Sequence, residues 1–263
     1  MDTGTLDLYP LRFRSVSPRR VWTANTLRGA FGSALKQLDE RIYARFFTPS
    51  AHSLPSSAAG KAPPSGLRDL PRPFVFRLRE GEIRMHLFLP SALDLVCRVM
   101  ERLDLELAAP AEILRLSFPA PDLAVSDEAA ASSVQRLRVH FLTPTELKGA
   151  SEPDFGVLLA RVRDRISTLR ALYGPGPLPL DFRAFGERAR HVRMTRCQIE
   201  TVTQERLSKR TGQRHSLGGF VGFAEYEGPV AEFLPYLEAA RWTGVGRQTV
   251  WGKGEIRAEI LHD

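Results

Sequence analysis

Apolar residues alternate with polar ones at the start of the chain. Leu6, Leu8, Leu11 and Phe13 predict a strand over 6–15, with Pro10 marking an edge or a bulge. Over 23–42 the spacing changes. Leu27, Ala30, Phe31, Ala34, Leu35 and Leu38 recur at helical period, and Thr23 or Asn25 can cap the start. Strands follow at 73–78 and 82–89 around a turn at Glu80-Gly81, then a capped amphipathic helix over 91–107 and a strand over 111–119. The order is β-α-β-β-α-β. The second half repeats it: a strand over 134–142, a helix over 155–172 ended by Gly174-Pro175, strands over 191–202 and 217–226, a helix over 229–240, and a glycine-interrupted strand over 242–261. The repeat is one of elements, not of residues. It predicts an α+β protein of two tandem ferredoxin-like (βαββαβ) units side by side, 1–125 and 126–263. Segments 50–71 and 121–133, rich in Pro, Ala and Ser, read as a mobile loop and as the join.

Composition narrows the partner. The 263 residues carry 37 Lys and Arg against 30 Asp and Glu, a net charge of +7, which favours a polyanion such as nucleic acid or an anionic membrane. No apolar run is long enough to cross a bilayer, and the start lacks the blocks of a signal peptide, so a cytoplasmic protein with no membrane partner is expected. Cys97 and Cys197 stand far apart with no CxxC, and the six histidines show no metal-binding spacing. Neither a metal nor a cofactor is expected.

The stretch WTGVGRQTVWGKGE, residues 242–255, puts four glycines and two cations where the last strand should run. Glycine is costly in a strand unless the backbone bends or something comes close. A phosphate-binding P-loop fails here: five residues separate Gly246 from Gly252, Lys253 is followed by Gly254 rather than by a hydroxyl residue, and no helix-length segment follows. GVG without a third glycine is no dinucleotide fingerprint. GGFVGFAEY, residues 218–226, matches the RNA-recognition-module pattern only loosely, and Phe220 and Phe223 read as core.

The tail GGFVGFAEYEGPVAEFLPYLEAARWTGVGRQTVWGKGEI resembles the C-terminal half of the CRISPR-associated repeat-processing endoribonucleases of the repeat-associated mysterious protein class. LRGAFGSALKQL in the first helix and HFLTPTELKG, residues 140–149, are similar to the same family. The resemblance implies paired ferredoxin-like folds and a glycine-rich loop before the last strand. It implies binding of CRISPR repeat RNA, often a hairpin, and metal-independent cleavage by the 2′-hydroxyl, leaving a 2′,3′-cyclic phosphate. Such a reaction needs a base, an acid and cations around the phosphorus. The product guide RNA would stay bound, with other CRISPR effector subunits as further partners. A non-catalytic guide-RNA-binding subunit is the alternative within the class, and a protein–protein scaffold with no RNA is the alternative outside it.

Many relatives place a general-base histidine in or just after the first helix, and this helix has none. The catalytic candidates are therefore His52 in the following loop, His215 beside Lys209, Arg210 and Arg214, and Arg28 on the first helix. Arginine is a poor base but orients and neutralises phosphate. RNA-binding candidates are Arg19, Arg20, Lys36, Lys209, Arg210, Arg214, Arg241, Gly244, Gly246, Arg247, Gln248 and Lys253. A histidine-poor, arginine-rich site resembles the type IV CRISPR variant. His86 and His140 read as packed within strands, residues 160–170 as a mostly solvated helix face, and residues 183–196 as a basic tract flanking a strand.

Overall fold

The structure, a computed structural model, describes residues 4–17, 21–49, 70–79, 81–119, 134–203, 205–207, 214–216 and 218–262. The expected loop over 50–71, except Leu70 and Pro71, and the expected join over 121–133 lie outside these residues. The chain forms two compact units, one of Met1–Ser117, Asp164–Leu178 and Val250–Gly252, the other of Phe118–Arg163, Pro179–Thr249 and Lys253–Asp263.

In the first unit, β1 (Thr5–Ser15), β2 (Phe74–Arg79), β3 (Glu82–Leu87) and β4 (Leu105–Leu107) form a sheet in the order β2-β3-β1-β4, and β5 (Leu114–Ser117) also pairs with β1. Partners run antiparallel throughout. Thr5 to Leu8 of β1 pair with β5 and Phe13 to Ser15 with β4, so Pro10 lies where that edge changes partner. A residue without an N–H is tolerated there. Helices α1 (Ala24–Leu38), α2 (Glu40–Phe47) and α3 (Leu93–Glu101) bury their apolar stripes against the sheet. Phe31 of α1 sits among Phe46, Phe74 and Phe76 at ring distances of 5.9, 5.4 and 5.6 Å. Burial of each such ring stabilises by about 1.5–3 kcal/mol.

In the second unit, β6 (Arg136–Thr145), β7 (Arg193–Val202), β10 (Gly219–Glu227) and β11 (Ile256–Ile260) make an antiparallel sheet in the order β11-β6-β10-β7. Between β7 and β10 stands a short ribbon, β8 (Glu205–Leu207) and β9 (Arg214–Ser216). Helix α4 (Phe155–Tyr173) starts in this unit, while its residues from Asp164 onward count with the first. Helices α5 (Phe182–Ala189) and α6 (Leu234–Thr243) complete it. Phe155 packs on Tyr226 at 5.0 Å and on Phe233 at 5.4 Å, and Phe185 packs on Phe233 at 5.1 Å. Both sheets place the first and third strands inside and the second and fourth at the edges, the ferredoxin-like order.

Several boundaries differ from those expected. The helix over 23–42 breaks at Asp39, which is extended (φ −157°, ψ 106°) and caps α2 by accepting from the Arg41 and Ile42 amides at 2.9 Å. The helix expected over 91–107 stops at Glu101; Asp104 turns the chain at φ 59°, and Leu105–Leu107 joins the sheet. Residues 183–196, read as a basic tract, hold all of α5 but its first residue, and the helix is capped by Asp181 through the Arg183 and Ala184 amides. The expected strand over 242–261 shrinks to Ile256–Ile260, because Trp242 and Thr243 end α6 and residues 244–255 form a loop.

The helix face over 160–170 is also less solvated than expected. Arg170 is fully buried and donates to the Thr5 carbonyl at 2.7 Å and the Pro177 carbonyl at 2.8 Å. Burial and the nearby charges of Arg77 and Arg72 push the Arg165 guanidinium down to about 9.

Candidate nucleic-acid interface

The glycine-rich loop starts as the C-cap of α6. Gly244 has φ 71°, and its amide donates to the Ala240 carbonyl at 2.8 Å. The loop then lies against the chain leaving β6. The Val245 amide donates to Gly254, the Gly254 amide to Pro144 and the Arg247 amide to Glu146, at 2.8, 3.0 and 3.2 Å. Gly246 and Gly254 adopt φ of 79° and 68°. A side chain at Gly246 would strike the Glu146 carbonyl, and one at Gly254 the Val245 carbonyl. Close backbone packing within the protein therefore demands these two glycines. The amides of Gly244 and Gly254 donate to the protein's own carbonyls.

The two cations of this loop behave differently. Arg247 is exposed, with 62% of its side chain accessible, and its Nη1 lies 2.7 Å from Glu146 Oε1. Lys253, expected to meet a phosphate, is only 4% exposed. Its Nζ donates to the Gly218 carbonyl at 2.5 Å and to Gln248 Oε1 at 2.9 Å, and lies 3.5 Å from Glu146 Oε2. Burial pushes the Lys253 ammonium below the usual lysine range, while Glu146 opposes that shift. Gln248 takes a left-handed backbone at φ 62°. Arg241, exposed at the end of α6, lies 3.6 Å from Glu238 and 5.3 Å over the Trp242 ring.

On the β8–β9 ribbon, His215 is opposite Arg206 and Arg214 opposite Leu207. Lys209 and Arg210 lie outside the described residues, as do His52, Arg19 and Arg20. In the first unit, the half-buried Arg28 holds its guanidinium 5.1 Å over Phe47 and 5.4 Å over Trp251. Lys36 is exposed, 3.4 Å from Glu40 and 5.8 Å over Tyr43. Arginine is a poor base, so Arg28 is suited to steering or neutralising a phosphate rather than to taking a proton.

The structure thus gathers Gly244, Gly246, Arg247, Gln248 and Lys253 into one cluster and leaves Arg28 and Lys36 on α1. It also shows partners that sequence reasoning missed. Glu146, within the HFLTPTELKG segment, is the acid that organises the loop. Trp251 is the ring under Arg28. Phe220 is buried as expected, but Phe223 faces the other side of the sheet, 4.6 Å from Arg138 and 5.3 Å from Arg196. Alternation within β10 carried that signal. His86 is buried as expected, whereas the half-buried His140 bonds through Nε2 to Glu259 at 2.8 Å.

Residues 139–256, which carry this loop, match the family described as CRISPR-associated endoribonuclease Cas6. The second half of the chain is Cas6-like. The resemblance read from the tail is thereby shown. Solved structures agree in fold. A Cas6 product complex superposes with a TM-score of 0.56 at 14% identity, covering 97% of this chain and all of the other. A Cas6 from Thermus thermophilus gives 0.50 at 17% identity over 98% of this chain and all of the other. A second Cas6 product complex gives 0.50 at 22% identity over 97% of this chain and 99% of the other. These likenesses show the double ferredoxin-like fold of Cas6. No curated protein matches the sequence. Among the described residues no helix is long and apolar enough to cross a membrane.

Proposed function

We propose that the protein is an endoribonuclease that binds CRISPR repeat RNA, cuts the precursor into guide RNA and stays bound to the product. The observation that carries this reading is the Cas6 family match over 139–256, which spans the loop bearing Arg247 and Gln248. The net charge of +7 supports a polyanionic partner. In this reading the reaction needs no metal: the 2′-hydroxyl attacks the adjacent phosphate and the 5′-oxygen leaves, giving a 2′,3′-cyclic phosphate and a 5′-hydroxyl. His215 or His52 supplies the base, and Arg28 holds the phosphate. Arg19, Arg20, Lys36, Lys209, Arg210, Arg214, Arg241 and Arg247 track the RNA backbone, whose phosphates dominate affinity. The protein works in the cytoplasm with other CRISPR effector subunits. The Cas6 family match favours RNA over a scaffold role. The histidine-free first helix favours an arginine-rich site of the type IV kind, and it also favours one second reading, a non-catalytic subunit that only holds guide RNA.

The test is incubation with the host's repeat RNA in excess EDTA, with the RNA ends mapped on a denaturing gel. A single cut with a cyclic phosphate is expected, and it should be lost in either His215→Ala or His52→Ala. Tight binding without a cut selects the non-catalytic subunit. Absence of both binding and cleavage refutes the proposal.

A further inference from the structure

Lys253 is a costly residue for its place. An ammonium that is 4% exposed has lost nearly all its water, and an apolar side chain of the same length would fit without that loss. Its hydrogens are satisfied from three segments: the Gly218 carbonyl before β10, the Gln248 side chain in the loop, and Glu146 after β6. Glu146 divides its carboxylate. Oε2 faces Lys253 at 3.5 Å and Oε1 faces Arg247 at 2.7 Å. Only Arg247 of the three is largely exposed, its side chain 62% accessible against 34% for Glu146 and 5% for Lys253.

The arithmetic of charge follows from this geometry. An Arg247–Glu146 pair alone would be neutral and would attract a phosphate weakly. With Lys253 behind the carboxylate, the triad carries one net positive charge, and that charge emerges at the Arg247 guanidinium. We propose that Lys253 is a positioning residue for RNA binding, which never touches RNA but offsets Glu146 so that Arg247 presents a net positive charge to a phosphate. The inference rests on the RNA-binding reading above. It adds that affinity depends on a buried group.

Repeat-hairpin RNA binding, measured by fluorescence anisotropy from 50 to 400 mM salt in EDTA, tests it. Lys253→Met should weaken binding about tenfold at low salt and lower the salt slope by about one. Adding Glu146→Gln to Lys253→Met restores the net charge on Arg247 and removes the carboxylate left without Lys253, so affinity and slope should return. A residue needed only for folding would show no such rescue. Lys253→Met binding like the parent, or a double variant as weak as Lys253→Met, overturns the inference. If Lys253→Met melts at the assay temperature, the double variant decides alone: parental affinity upholds the inference and weak binding overturns it. Failure of the parent chain to bind would instead sink the RNA-binding reading itself.

Discussion

Gly254→Ala is a sharp probe of why the last loop is rich in glycine. At φ 68° the residue sits in the left-handed region, where a side chain costs about 1–2 kcal/mol. Its new Cβ would also meet the Val245 carbonyl, so the backbone must move. That movement strains two hydrogen bonds, Val245 amide to Gly254 carbonyl at 2.8 Å and Gly254 amide to Pro144 carbonyl at 3.0 Å. Each is worth about 0.5–1.5 kcal/mol. The sum is a loss of about 2–5 kcal/mol. Gly29→Ala is the matched control. Gly29 lies within α1 with open space around its Cα, so alanine there should stabilise by about 0.5–1 kcal/mol. Thermal melts followed by far-ultraviolet circular dichroism compare the two variants with the parent. Opposite shifts in Tm, a fall for Gly254→Ala and a small rise for Gly29→Ala, are expected. If Gly254→Ala melts no lower than the parent, the close-packing account of the loop is wrong.

Other perturbations probe separate links. Arg115 donates to both oxygens of Asp7 at 2.8 Å and holds its carboxyl below the usual aspartate value of 3.8. The stability from this pair is present above that value and lost as pH falls through the lower folded value, so an acid titration of the parent should show a loss that Asp7→Asn lacks. Tyr226 is buried and donates its hydroxyl to the Pro153 carbonyl at 2.6 Å. Tyr226→Phe should cost about 1–3 kcal/mol by leaving that carbonyl without its donor, and a denaturant melt with an unchanged midpoint would contradict it.

Where periodicity was strong, element type was legible before any coordinate. Leu27, Phe31 and Leu35 announced α1, and all three are fully buried. Breaks were harder to read. Asp39 lies inside the helix expected over 23–42, but its short carboxylate bonds the next turn's amides and ends α1. The leucines at 103, 105 and 107 fit either a helix tail or a strand, and pairing of Leu107 with Phe13 decided for the strand. The tail's glycines were correctly seen as a backbone demand. Sequence alone could not say that the close neighbour would be the protein's own carbonyls. Nor could it show that Lys253 points inward, because a lysine in a glycine-rich run reads as exposed until Gln248 of the same loop and the distant Gly218 and Glu146 are seen together around it. The burial of Arg170 was hidden for the same reason, its acceptor on Thr5 lying far away along the chain.

That distant bond has a consequence for synthesis. The first compact unit takes in Asp164–Leu178 and Val250–Gly252 as well as the N-terminal residues. Val250 enters its apolar core and Trp251 lies under Arg28. On a ribosome, β1 must therefore wait for α4 to emerge before its Thr5 carbonyl finds Arg170, and for a further 81 residues after Arg170 before Trp251 arrives. Maturation of this unit must follow synthesis of residues 250–252. A fragment cut after residue 125 would leave these places open, exposing apolar surface that invites association with other chains.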